Sequence, residues 1–189
     1  MIIKSVFADG YKNLSDVDIK PHERMNIFCG DNAQGKTNLI EAVWMMTGCR
    51  SFRGTRDRDF IGFEKEKASI RLSFRDSIRS QDISFEVRKN NIREKNIALN
   101  GVSLKCVVFT PEDLFIAKGS PDNRRSFVDL SSSQLKKSFV YALNKYENLL
   151  SQRNALIKKI NFTGSGSADD LDIWDVQLAK TGAYISVIR

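Results

Sequence analysis

Gly30-Asp31-Asn32-Ala33-Gln34-Gly35-Lys36-Thr37 has the form GxxxxGK followed by Ser or Thr. What flanks this stretch gives it its meaning. The apolar run at residues 25–29 predicts a short strand leading in, and Leu39, Ile40, Val43 and Met46 recur at helical spacing up to a stop at Gly48. A strand, a glycine-bearing loop and a helix in that order make a cradle for phosphate. Gly30 and Gly35 let the backbone turn tightly with its N–H groups aimed inward, and the helix adds the positive end of its dipole. Lys36 supplies a mobile cation for the β- and γ-phosphate oxygens. The hydroxyl of Thr37 is the expected protein ligand of a Mg2+ ion bridging the same oxygens. Gly30, Asp31, Asn32, Ala33, Gln34, Gly35, Lys36, Thr37 and Asn38 are therefore the candidate site for a purine nucleoside triphosphate with Mg2+. Cys29 reads as a small buried residue at the strand end.

Outward from the loop, residues 2–7 are rich in β-formers, Asp9-Gly10 is a turn signal, and Val17 and Ile19 alternate with Asp16 and Asp18. Downstream, Ala68, Ile70, Leu72 and Phe74 alternate with polar residues, as do Ile83, Phe85 and Val87. Turn chemistry follows at Asn90-Asn91. Ile97 and Leu99 then run into the hairpin pair Asn100-Gly101, with a return strand expected at 104–109. This is an antiparallel meander. From Leu135 the stripe Leu135, Phe139, Leu143, Tyr146, Leu150 and Ile157 predicts an amphipathic helix capped by Ser131, Ser132 or Ser133. A Gly/Ser break at 164–167 and a cap at Asp169 or Asp170 introduce a second helix bearing Leu171, Trp174, Leu178, Ile185 and Ile188. The expected architecture is an α/β P-loop NTPase part over residues 1–110 and a helical lobe or hairpin arm over 111–189. The second helix is still in pattern at Arg189, which predicts a truncated chain whose missing strands leave a sheet edge open to self-association.

Thirty Lys and Arg against 23 Asp and Glu give a net charge of +7, concentrated at 50–58, 88–95 and 124–137. Such stretches are either solvated surface or an attraction for a polyanion. No run approaches the roughly 18–20 apolar residues of a membrane span, and the first residues are too short and polar for a secretory signal. A soluble, cytoplasmic protein without a membrane partner is expected. Cys29, Cys49 and Cys106 are odd in number without CxxC spacing, so buried reduced thiols are expected, and His22 in a polar segment reads as surface. Two GTPase look-alikes fail on placement. Asp59-Phe60-Ile61-Gly62 follows a polar stretch where a buried strand is needed, and Asn144-Lys145-Tyr146-Glu147 lies inside an amphipathic helix with Glu in place of Asp. A small-molecule kinase would open directly on its loop strand.

Two strands before the loop and a meander after it resemble the head domains of ABC-type and SMC-type ATPases. The run Gly35-Lys36-Thr37-Asn38-Leu39-Ile40-Glu41-Ala42 resembles the RecF branch of that group, as do Cys49-Arg50-Ser51-Phe52-Arg53, Val108-Phe109-Thr110-Pro111-Glu112-Asp113-Leu114, and the segments 119–129 and 146–158. The resemblance implies an ATP-dependent recombination mediator for DNA repair and replication, binding duplex DNA at gaps as an ATP-bound homodimer and working with RecR and RecO to load RecA. It also places Lys12 and Asn13 near the adenine or ribose, and Arg50 and Arg53 near the γ-phosphate or DNA. Arg124 and Arg125 become candidates for DNA or partner contact, with an inter-lobe salt bridge as the alternative. Glu112 and Asp113 fall where related ATPases have a Mg2+-facing glutamine. Hydrolysis in that group needs four apolar residues ending in acid and a signature loop such as LSGGQ. Neither occurs in this chain: Phe127-Val128-Asp129 has only two apolar residues, and 163–167 reads as a linker. Nucleotide binding without useful turnover is expected.

Overall fold

The alternating runs fold as strands: β1 (Ile2–Asp9), β2 (Val17–Ile19), β3 (Lys67–Arg75), β4 (Ser80–Arg88) and β5 (Asn91–Ala98). They form one sheet in the order β2-β1-β3-β4-β5, every neighbouring pair antiparallel. The computed structural model from which this is drawn describes residues 1–98, 104–163 and 168–189, and these divide into two units, Met1–Phe109 and Thr110–Arg189. Period-2 patterning is what holds β3 and β4 in register. Ala68, Ile70, Leu72 and Phe74 are buried on the same face as Ile83, Phe85 and Val87, with Ile70 opposite Phe85 and Leu72 opposite Ile83. Full burial of side chains of this size contributes roughly 1.5–3 kcal/mol each, so a one-residue slip would be heavily penalised. In the β3–β4 turn, the main-chain N–H groups of Arg79 and Ile78 donate to the Asp76 carboxylate, holding its pKa below the usual aspartate value.

The turn after β1 is fixed from beneath. Gly10 has φ 65°, and a Cβ there would lie 2.3 Å from the Lys67 carbonyl oxygen, so no other residue fits. Lys12 N–H donates to the Phe60 carbonyl and Gly62 N–H to the Gly10 carbonyl, each at 2.8 Å, while the Tyr11 ring stacks on Phe60 and meets Phe85 edge-on. Helix α1 (Lys36–Met45) buries Leu39, Ala42, Trp44 and Met45. The turn at 10–14 and the start of α1 are thereby presented together.

Several expectations are corrected. Residues 25–29 are not a strand: the segment runs outside the sheet, with Met25 74% and Ile27 79% exposed and Cys29 exposed too, not buried. The same holds for 104–109, where Val107 and Phe109 lie exposed. An apolar run becomes a strand only when a ladder partner takes up its backbone groups, and among the described residues neither segment has one. Asn100-Gly101 lies outside the described residues, as does the break at 164–167. Of the other thiols, Cys49 is buried and Cys106 is half-buried beside an apolar cavity of about 260 Å³ between β1, β2 and α1. Burial pushes the Cys106 thiol up to about 11, with the neighbouring Cys49 adding to the effect. His22 is exposed, as expected.

In the second unit α2 (Phe115–Lys118) and α3 (Pro121–Leu135) precede a long α4 (Lys137–Thr163) and α5 (Asp172–Ile188). Ser131, Ser132 and Ser133 do not cap α4. They lie inside α3, where the Ser131 hydroxyl donates back to the Phe127 carbonyl, and the chain breaks instead at Lys136, which is extended. Nor does Asp169 or Asp170 cap α5; a 3-10 turn, Ala168–Leu171, comes between, and Asp172 and Asp175 supply the acidic first turn. The α4–α5 hairpin is antiparallel: Ser138 bonds Tyr184, Gly182 lies against Tyr146, and Arg153 pairs with Asp175. Phe139, Ala142, Leu143 and Ile185 form its core.

Candidate nucleotide site

The loop at 30–35 is built from backbone conformations that side chains resist. Gly30 has φ 148°, Ala33 φ 65° and Gly35 φ 99°. Gly35 is the N-cap of α1, and its carbonyl accepts the Leu39 N–H at 2.8 Å. A Cβ on Gly35 would lie 2.9 Å from both Asn13 Oδ1 and Leu14 Cδ2, so this glycine is required for space as well as for φ. Asp31, Asn32, Ala33 and Gln34 are exposed, and so is Thr37 on the first helical turn. Lys36 curls back, Nζ donating to the carbonyls of Gly30 (2.6 Å) and Asp31 (2.5 Å). First-turn amides of a ten-residue helix and a lysine ammonium thus share one rim. That is the chemistry of a polyphosphate seat.

Beside the loop runs a polar network. Asn13 Nδ2 donates to the carbonyl of Ala33 at 3.0 Å, holding its left-handed conformation, and Asn13 Oδ1 accepts from Asn38 Nδ2 at 2.7 Å. Asn38 Oδ1 in turn accepts from Arg53 Nη1 at 3.0 Å. At the centre of the neighbouring cluster is Glu41, wholly buried on α1. Its carboxylate accepts from Lys12 Nζ (2.5 Å), from Thr55 Oγ1 (3.1 Å) and from the Ser51 hydroxyl, and Arg53 Nη1 lies 3.7 Å away. Lys12 also donates to Thr55 Oγ1 at 3.2 Å. The Trp44 indole N–H donates to the Arg50 carbonyl at 2.8 Å, and its ring meets Phe52 edge-on. Three separate stretches, the turn after β1, α1 and residues 50–55, are drawn together here.

Of the residues picked from sequence, 30–38, Lys12, Asn13 and Arg53 are gathered at one place, and Arg50 lies on the adjoining stretch. Lys12 directs its ammonium at Glu41. Arg124 and Arg125 belong to the second unit, where their partners are local: Arg125 pairs with Asp122 at 2.6 Å one turn earlier, and Arg124 donates to the Gly119 carbonyl. Asp113 closes a capping box, accepting from the Thr110 N–H and hydroxyl, which accounts for its place after Pro111. Asp129 is held by a two-pronged pair with Arg189, both bonds 2.8 Å. Sequence reasoning missed Glu41, Ser51 and Thr55. The signal for Glu41 was present, a lone carboxylate between apolar neighbours in Leu39-Ile40-Glu41-Ala42-Val43, a position that demands a buried partner. Among the described residues there is no cluster of three or more His, Cys, Asp or Glu able to hold a metal, and no helix is long and apolar enough to cross a membrane.

With the geometry in place, comparison with known proteins gives a consistent answer. A family model described as AAA domain matches residues 6–178. The DNA replication and repair protein RecF of Alkaliphilus oremlandii is 37% identical over 100% of this chain and 53% of its own length, and that of Lachnospira eligens 38% identical over 98% and 53%. The chain spans about half the length of the curated relatives it matches. Among solved structures, one described as the recombination mediator protein RecF-ATP in the RecFOR pathway superposes with a TM-score of 0.77 at 35% identity, covering 99% of this chain and 52% of the other. A second, the RecF-ATPrS form, gives 0.74 at 34% identity, covering 97% and 52%.

Proposed function

The chain belongs to the AAA domain family and, as the motifs along it imply, to the RecF proteins; from that premise we propose that it is the Mg-ATP-binding part of a recombination mediator. One observation supports this above the rest: Gly35, at a φ that favours glycine and with no room for a Cβ, opens α1 beside a lysine folded over the loop carbonyls. Main-chain amides at 35–37 would meet the phosphates and Lys36 would supply its charge to the β- and γ-oxygens, while Asn13 braces the loop from behind. Thr37, an exposed hydroxyl on the first turn of α1, is the residue that would hold Mg2+. Bound Mg2+ would supply charge neutralisation between the phosphates. Lys12 flanks this site through Glu41 and Asn13.

The activity proposed for the whole protein is action at gaps in duplex DNA as an ATP-dependent homodimer with RecR and RecO. The exposed cations of 50–58, with Arg53 and Arg58 among them, supply a surface for the DNA backbone, and Arg50, Arg124 and Arg125 are further candidates for DNA or partner contact. Turnover is not expected of this chain alone, because it has no apolar strand ending in paired acids to polarise water. The test is calorimetric titration with Mg-ATP. Saturable binding lost in Lys36→Ala is expected; equal binding by both, or binding indifferent to Mg2+, would sink the assignment.

A further inference from the structure

We propose that Glu41 is a positioning residue of the nucleotide site, its buried carboxylate fixing residues 51–55 and the Arg53 guanidinium against the start of α1. This rests on the reading of 30–38 as the Mg-ATP site. The carboxylate is shut away from solvent and takes Lys12, Ser51 and Thr55 as donors, with Arg53 at 3.7 Å. A carboxylate removed from water is tolerated only when its lone pairs are met. The donors come from two stretches remote in sequence, so meeting them ties both stretches to α1.

What those ties hold in place is the loop. From Arg53 the hydrogen bonds run to Asn38, from Asn38 to Asn13, and from Asn13 to the carbonyl of Ala33, whose φ of 65° is unfavourable for a side-chain-bearing residue. Lys12, the other pole of the Glu41 pair, directly precedes Asn13 in the chain. Glu41 thus acts on Asn13 by two routes, through the peptide next to it and through Arg53 and Asn38. The carboxylate leaves Arg53 half exposed and within 3.0 Å of a residue adjoining Thr37, where a guanidinium can answer phosphate charge.

The experiment uses a Trp174→Phe background, in which Trp44 is the remaining tryptophan. Because Trp44 bonds the Arg50 carbonyl and packs on Phe52, its emission reports whether 50–55 is held. Glu41→Gln is compared with Glu41→Gln/Lys12→Met, which removes both charges, and with Lys36→Ala. Glu41→Gln is expected to shift Trp44 emission to the red and weaken Mg-ATP binding by about tenfold or more, the scale typical of an outer-shell support. The double variant is expected to regain the melting temperature but not the affinity. Recovery of both would reduce Glu41 to a structural ion pair and overturn the proposal, as would affinity within twofold of the parent in Glu41→Gln. Should both Glu41 variants fail to fold, Arg53→Gln carries the test, with the same loss expected and unchanged affinity overturning it. If the parent itself shows no Lys36-dependent binding, the site assignment falls and this inference with it; binding that ignores Glu41 and Arg53 removes the inference alone.

Discussion

Two ion pairs of nearly equal length stand in opposite surroundings. Lys12 meets Glu41 at 2.5 Å with side chains 16% and 0% exposed, and Arg125 meets Asp122 at 2.6 Å with side chains 57% and 83% exposed. The first joins residues 29 positions apart and has hydroxyls on its remaining lone pairs. The second spans one helical turn in water. Distance alone says nothing of worth: a pair in solvent exchanges water for a partner at little gain, whereas a buried carboxylate that loses its donors has nowhere to turn. The comparison separates the residues that organise this molecule from those that decorate it.

The largest effect is expected where the contrast is broken on the buried side. Glu41→Ala leaves the Lys12 ammonium largely buried without its carboxylate and should lower unfolding stability by about 3–5 kcal/mol, measured by urea denaturation. A loss below about 1 kcal/mol would mean that solvent reaches Lys12 freely. Gly35→Ala comes next. The strained φ and the 2.9 Å approach to Asn13 and Leu14 should cost about 1–3 kcal/mol and abolish Mg-ATP binding; a variant that binds normally would show the cradle has slack. Smallest is Asp122→Ala, which should move stability by no more than about 0.5 kcal/mol. A larger change would show that the exposed pair organises the second unit after all.

The parts legible in the sequence are those whose cause is local. Gly35 and Lys36 announce the loop because only certain residues tolerate that backbone and that charge, and β3 and β4 announce themselves because alternation is written into each strand. The RecF likeness, read from motifs spread along the chain, is met by matches that run the length of this chain and about half the length of each relative. What failed depended on partners that a local window cannot display. Residues 25–29 and 104–109 have the composition of strands, yet composition supplies no neighbour for a backbone N–H. Three serines in a row look like a cap until the helix continues through them. Glu41 was passed over for a related reason: its meaning lies in Lys12, Ser51 and Thr55, which only folding brings near.

The most direct test of the whole account is the amide NMR spectrum of isotope-labelled protein titrated with Mg-ATP. The account predicts that the N–H signals of Gly35, Lys36 and Thr37 move most, with Asn13 following, and that none of them move in Lys36→Ala. Signals at 30–38 that stay fixed while others shift would place the nucleotide elsewhere and contradict it.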